Sequence, residues 1–306
     1  MRLMHKDVLG IAELTSSEIT SILDRALEMK KIVLSDSKKV HYLRGKSVVT
    51  LFYENSTRTR VSFELAGKYM SADTVNITAS GSSVAKGETL IDTGKTLDAM
   101  GADVVVMRHS LSGAPHLLAK HVRASVINAG DGMHEHPTQA LLDMYTIREH
   151  LGSLNGLKVA IIGDIFHSRV ARSNILGLSK MGSKPVVFGP STLIPPDIAK
   201  MGATVAPTLQ DAVKDADVVM GLRVQLERQK KAFYPSQAEY AAFFGLTPST
   251  MALAKKHAIW MHPGPVNRGV EMTSTVIDGE GSAINEQVTN GVAIRMALLY
   301  MLTGRE

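Results

Sequence analysis

Ser56-Thr57-Arg58-Thr59-Arg60 stands between two segments of different periodicity. Before it, Lys46-Ser47-Val48-Val49-Thr50-Leu51-Phe52-Tyr53 is rich in β-branched and aromatic residues and reads as a buried strand. After it, Val61 to Met70 carries apolar residues at Val61, Leu65, Ala66 and Tyr69, a helical spacing. A strand therefore feeds a helix. The turn gathers hydroxyls, two guanidinium groups and the N–H groups of a helix start, with the positive end of the helix dipole behind them. An anion suits such a place, because arginine forks bind phosphate oxygens in pairs while hydroxyls and N–H groups fill the other acceptor positions. The same residues also make an ordinary capped helix, since Ser and Thr are common caps and arginine is a good surface helix residue. Taken alone, the stretch supports both readings equally.

Outward from this turn, the pattern repeats along the chain. Thr15-Ser16-Ser17-Glu18 is a capping box that opens a first helix. Strand Thr74 to Ile77 leads into a Gly- and Ser-rich loop, Thr78 to Gly87, expected to be mobile. Helix Glu88 to Met100 follows, then strand Asp103 to Met107 delivering Arg108, and strand Ser125 to Ala129 delivering Gly130-Asp131-Gly132. Pro137 opens a helix to about Ile147. A second series has strand Leu157 to Gly163, helix Arg169 to Met181, strand Pro185 to Phe188, helices Pro196 to Met201 and Gln210 to Asp215, and strand Asp217 to Leu222 ending at Arg223. Strand Ala258 to Met261 ends at His262-Pro263-Gly264-Pro265, and Glu286 to Leu302 is one long helix. Strands alternating with crossover helices predict two doubly wound α/β domains, each with a parallel sheet. Ligands then sit outside the carboxyl ends of strands, in the cleft expected between the two domains. Arginines occur at four of the six candidate strand ends, which suits one phosphorylated and one carboxylate ligand.

Composition narrows the classes. At 306 residues, two domains with their own cores are expected. Hydrophobic residues at 44% and charged residues at 21% exclude a disordered chain. Met1 to Gly10 lacks the apolar stretch of a signal peptide and no window approaches a membrane span, so the expectation is a cytoplasmic protein. The absence of cysteine excludes disulfides, thiolate metal sites and a cysteine nucleophile. The net charge of +5 is scattered, without the basic stripe that nucleic acid requires.

Three tempting motifs fail. Gly94-Lys95-Thr96 resembles the tail of a phosphate-binding loop, but Thr89 stands where its first glycine is required and the triplet lies in a helix. No Gly-x-Gly-x-x-Gly follows either first strand. His134-Glu135-His136 has no third ligand at a persuasive spacing, so no metal is assigned and His136 is read as a hydrogen-bond donor to a ligand.

Six motifs in one order, namely the Ser56 to Arg60 turn, Met107-Arg108-His109, His136-Pro137-Thr138-Gln139, Arg169 after Gly163-Asp164, Arg223-Val224-Gln225 and His262 to Pro265, resemble the transcarbamoylase family over the whole length. The resemblance is to the catalytic chain of its aspartate branch. It implies transfer of the carbamoyl group from carbamoyl phosphate to L-aspartate in pyrimidine biosynthesis, without cofactor, by a homotrimer with sites shared between chains. It also leaves room for regulatory chains or a dihydroorotase-like partner. Residues 1–150, completed by a helix over 286–306, would bind carbamoyl phosphate, and 151–285 would bind aspartate. Ser56, Thr57, Arg58, Thr59 and Arg108 would hold the phosphate. Thr59, Arg108 and His136 would face the carbonyl oxygen, and Gln139 with the backbone at Pro263, Gly264 and Pro265 would take the amide. Arg169, Arg223 and Gln225 would bind the aspartate carboxylates, while Ser82 and Lys86 would enter the neighbouring chain's site.

The chemistry asks for such groups independently. Attack of an amine on the carbamoyl carbon develops negative charge on its oxygen, and each preset donor there is worth about 3 to 4 kcal/mol. Holding two mutually repelling anions together supplies much of the rest. The ornithine branch carries a Cys where this chain has Pro263, and its Asp-x-x-x-Ser-Met-Gly loop is missing. A carbamoyltransferase for another amine is the nearest rival, and a non-catalytic phosphometabolite-binding protein is the alternative from another class.

Overall fold

The computed structural model describes residues 3–78, 87–224 and 236–303. The chain forms two compact units, Met1–Tyr145 with Val288–Glu306, and Thr146–Gln287. The first series of elements is α1 (Ser16–Leu34), β1 (Ser47–Phe52), α2 (Thr57–Tyr69), β2 (Asp73–Thr78), α3 (Leu90–Ala99), β3 (Val104–His109), α4 (Ala114–Ala119), β4 (Ser125–Asp131) and α5 (Pro137–Leu151). The second is β5 (Lys158–Ile162), α6 (Arg169–Lys180), β6 (Lys184–Phe188), β7 (Thr204–Val205), α7 (Leu209–Val213), β8 (Val218–Gly221), α8 (Gln237–Phe244), α9 (Pro248–Met251), β9 (Ile259–Met261) and α10 (Ser274–Ile277), and α11 (Ile284–Thr303) closes the chain. Among the described residues, no helix is long and apolar enough to cross a membrane.

Local chemistry sets these elements. Thr15 and Glu18 form the expected reciprocal capping box at the start of α1. The strands of the first unit place Val49, Leu51, Val105, Met107 and Val126 in one cluster with Leu97 and Leu118 from the covering helices. Gly94 belongs to that packing: a Cβ there would meet Leu118 Cδ1 at 2.3 Å, so the Gly94-Lys95-Thr96 triplet is indeed structural. In the second unit, Ala160, Ile162, Val213, Val219 and Met272 form the corresponding core.

Both sheets are parallel throughout. Their orders are β2-β1-β3-β4 and β7-β6-β5-β8-β9. In the first, the chain steps from β1 to β2 on one side and then crosses to β3 on the other. In the second, it runs from β5 through β6 to β7 and then returns to β8. Each unit therefore has a topological switch point, between β1 and β3 and between β5 and β8, where the two outgoing connections part and leave a crevice at the carboxyl ends.

Several expectations shift. Strand β3 continues through Arg108 and His109, because Phe52 pairs with Arg108 and Asp131 with His109. The helix expected over Pro196 to Met201 is a 3₁₀ segment, Ile198–Met201. Pro195 and Pro196 supply no N–H groups ahead of it, and Gly202, at φ +101°, ends it. Helices α4, α8, α9 and α10 and the short strand β7 were not foreseen.

Candidate active site

At the first switch point, Tyr53 N–H donates to the Arg108 carbonyl at 2.9 Å, which sets the start of the β1–α2 turn beside the end of β3. Ser56 occupies the N-cap of α2 with extended backbone, yet its side chain makes no capping hydrogen bond, and no acidic residue lies in the first turn. At α1, α3, α6, α7, α8 and α9, by contrast, the cap hydroxyl accepts an N–H of its own helix. The capped-helix reading of Ser56-Thr57-Arg58-Thr59-Arg60 predicts that same bond. Its absence at a 13-residue helix leaves the anion-site reading favoured. Thr59 is buried, 6% exposed, while Arg58 is exposed.

Arg108 is held from two sides. Its Nη1 donates to the Ala129 carbonyl at 3.2 Å and its Nη2 to Glu54 Oε1 at 2.9 Å. One strand further, β4 feeds the turn Asp131 to His136 and then α5. Gly132 permits that turn: it has φ +47°, and a Cβ would meet the Ser112 nitrogen at 2.7 Å. Asp131 takes hydrogen bonds from Gly113, Asn128 and Glu135 and lies 3.1 Å from His134 Nδ1. Burial alone would raise its carboxyl, but these bonds outweigh it and hold the group below the usual carboxylate range.

His136, directly before α5, and Gln139, on its first turn, are both buried. The His136 Nδ1 lies 3.4 Å from the Thr138 hydroxyl. Gln139 Nε2 donates to Asp143 Oδ1 at 2.9 Å, so its carbonyl end is turned away from Asp143. Asp143 in turn faces the fully buried Arg295 of α11, whose guanidinium burial pulls down to about 10 against the opposing effect of Asp143. The structure thus brings Ser56, Thr57, Arg58, Thr59, Arg108, His136 and Gln139 to the carboxyl ends of the neighbouring strands β1, β3 and β4.

The second unit gathers its own set. Arg169 begins α6 and is 4% exposed. The preceding Asp164 carboxylate receives His167 N–H at 3.0 Å and lies 3.0 Å from His167 Nδ1, which fixes the entry to α6. Arg223 lies two residues past β8, across the switch point from Arg169. The buried Glu271 carboxylate accepts Val224 N–H at 2.8 Å, Asn267 N–H at 2.8 Å and Asn267 Nδ2 at 2.7 Å, clamping the segment that carries Arg223. Burial dominates at Glu271 and raises its pKa. After β9, Gly264 N–H donates to His262 Nδ1 at 2.9 Å, so the Pro263 and Gly264 carbonyls are the groups this loop can offer a ligand. Gly264 has φ +68°, a conformation suited to glycine.

Ser82, Lys86 and Gln225 lie outside the described residues. Sequence reasoning gave no role to Glu54, Asp143, Glu271 or His116. Glu54 and Asp143 sit close in sequence to assigned residues, whereas the contacts of Glu271 and His116 span long stretches of chain.

Residues 6–149 match the family described as aspartate/ornithine carbamoyltransferase, carbamoyl-P binding domain, and residues 155–302 match its Asp/Orn binding domain. The aspartate carbamoyltransferase catalytic subunit of Acetivibrio thermocellus is 66% identical over 306 residues, covering 100% of this chain and 98% of that protein. Among solved structures, the aspartate transcarbamoylase of Trypanosoma cruzi in complex with carbamoyl aspartate and phosphate superposes with a TM-score of 0.87 at 32% identity, over 96% of this chain and 95% of the other. The ornithine carbamoyltransferase of Thermus thermophilus gives 0.86 at 25% identity, over 98% and 99%. The shared fold spans both branches, and the higher identities fall on one of them: the chain belongs to the aspartate/ornithine carbamoyltransferase family, on its aspartate carbamoyltransferase branch.

Proposed function

We propose that this chain transfers the carbamoyl group of carbamoyl phosphate to the amine of L-aspartate, giving N-carbamoyl-L-aspartate and phosphate. The observation that carries the reading is the start of α2, whose Ser56 hydroxyl is not engaged in capping and which lies beside Arg108 at the switch point. The 66% identity to a named aspartate carbamoyltransferase subunit supports aspartate as the acceptor.

Ser56, Thr57, Arg58, Thr59 and Arg108 bind the phosphate. Thr59, Arg108 and His136 donate to the carbonyl oxygen as it gains charge, the term expected to dominate the barrier. With the Thr138 hydroxyl, 3.4 Å away, as donor to His136 Nδ1, the proton of the neutral ring sits on Nε2, where a donor needs it. The carbamoyl N–H groups are taken by acceptors, Gln139 Oε1 and the carbonyls of Pro263 and Gly264, with Pro265 shaping that loop. Arg169, Arg223 and Gln225 take the aspartate carboxylates, and Lys86 and Ser82 act from a neighbouring chain of a homotrimer. The amine nitrogen attacks the carbamoyl carbon, the bond from that carbon to the phosphate oxygen breaks, and the departing phosphate accepts the amine proton. No protein base, metal or organic cofactor takes part in this scheme.

The test is phosphate release from carbamoyl phosphate with L-aspartate, L-ornithine, putrescine or no acceptor, before and after EDTA treatment. Release that depends on aspartate and survives EDTA is expected. Faster release with ornithine or putrescine would assign another acceptor.

A further inference from the structure

Away from the proposed substrate groups, three side chains from two parts of the first unit converge. One ligating atom each from His116 on α4 and from Asp131 and His134 in the β4–α5 turn lies within 4.8 Å of the other two. The two imidazole rings meet edge to face with centroids 5.4 Å apart. Glu135 and His136, the neighbours that sequence spacing brings to mind, belong elsewhere: the Glu135 carboxylate accepts Ile11 N–H at 2.7 Å, and His136 directly precedes α5.

A plain hydrogen-bonded cluster accounts for only part of this arrangement. His116 Nε2 lies 2.9 Å from Glu13 Oε1. A carboxylate can only accept, so in the neutral ring the proton sits on Nε2 and Nδ1 carries the lone pair. That Nδ1 is buried and has no hydrogen-bond partner among the described residues. A bare imidazole nitrogen, oriented through its other nitrogen by a carboxylate and placed beside a second imidazole and a buried carboxylate, has the form of a metal ligand with its supporting acceptor. Asp131 is itself fixed by the Gly113, Asn128 and Glu135 N–H donors.

We infer that His116 Nδ1, Asp131 and His134 form a binding site for a divalent transition metal of the zinc class, with Glu13 as the acceptor that orients His116. Two imidazoles and one carboxylate are the donor set of zinc-type sites that keep an open position, and the absence of thiolate disfavours cuprous copper. The His134 side chain is 42% exposed, so water reaches the remaining position and the ring can swing to shorten its distance to the other two ligands. Binding replaces the Asp131–His134 contact and ties α4 to the turn that carries His136 two residues on. The site takes no part in the transfer scheme proposed above.

The experiment uses the full-length protein, stripped with EDTA and dialysed, titrated with CoCl2 while d–d absorption is followed, then with ZnCl2 in competition. One cobalt per chain with the visible spectrum of a four- or five-coordinate ion, displaced by zinc, is expected, together with a zinc-dependent rise in melting temperature. His116→Ala and His134→Ala should each weaken zinc binding by about 100-fold or more, and Glu13→Gln by about 10-fold, as loss of an orienting acceptor does. His134 is partly exposed, so its variant keeps the test clear of folding defects, which circular dichroism checks. Cobalt binding that fails to saturate below millimolar, or zinc affinity unchanged in His134→Ala and Glu13→Gln, overturns the inference.

Discussion

Arg108 and Glu54, at the ends of two neighbouring strands, form an ion pair of 2.9 Å at the point where the first sheet changes direction. The Ala129 carbonyl holds the other arm of the same guanidinium. Arg108 is thus oriented before any ligand arrives, and most of its reorganisation precedes the chemical step.

Glu54→Ala should therefore lower kcat about tenfold, near 1.4 kcal/mol of lost orientation, because the bond to the Ala129 carbonyl remains. Glu54 is half-buried, and the melting temperature should change little. Steady-state kinetics in carbamoyl phosphate decide the matter. An unchanged kcat with a lower KM would show that Glu54 merely competes with phosphate for Arg108.

Asp217 gives a pH test within the second unit. Its carboxylate accepts Lys158 N–H at 2.9 Å and Lys255 Nζ at 2.8 Å, and lies 2.9 Å from His257 Nε2. Burial raises its pKa, but these partners outweigh burial and bring it below the usual 3.8. A depressed carboxyl stabilises the fold above its unfolded value and loses that contribution as pH falls through the folded one. Asp217→Asn should cost about 2 kcal/mol at neutral pH. Compared at pH 7 and at an acid pH below the usual 3.8, the gap from the parent in urea midpoint should narrow at the acid pH, where the unfolded parent takes up its proton first. A gap of equal size at both pH values would show that charge plays no part.

The proposed sharing of sites in a cyclic trimer makes a quantitative prediction. Arg58→Ala and Lys86→Ala trimers should each be nearly inactive. Dissociated and reassembled in equal amounts, about three of four trimers are mixed, each with one intact site of three, so about a quarter of all sites should recover. Recovery near zero, with chain exchange confirmed by native mass spectrometry, would place Lys86 in its own chain's site.

Much of the fold was legible because its signals are local. The run Lys46 to Tyr53 is apolar on both faces, as a central parallel strand must be, and Thr15 with Glu18 announces α1. Helix α4 escaped because it has only six residues, follows a left-handed Gly113 and carries Pro115 in its first turn, too short for periodicity to register. Residues at strand ends were proposed because a doubly wound fold puts ligands there. The groups that hold them were not. Glu54 meets Arg108 across 54 positions, and His116 faces Asp131 and His134 only after β4 has paired with β3. Spacing along a chain carries no record of such contacts.

Whether the start of α2 recognises phosphate or simply caps a helix is decided by Arg58→Ala, assayed for turnover per folded chain alongside its melting temperature. Arg58 is exposed at a helix start whose cap hydroxyl makes no capping bond. Turnover should fall about a hundredfold or more, the scale of removing one preset donor, with nearly unchanged melting. Normal turnover with a large loss of stability would contradict phosphate recognition.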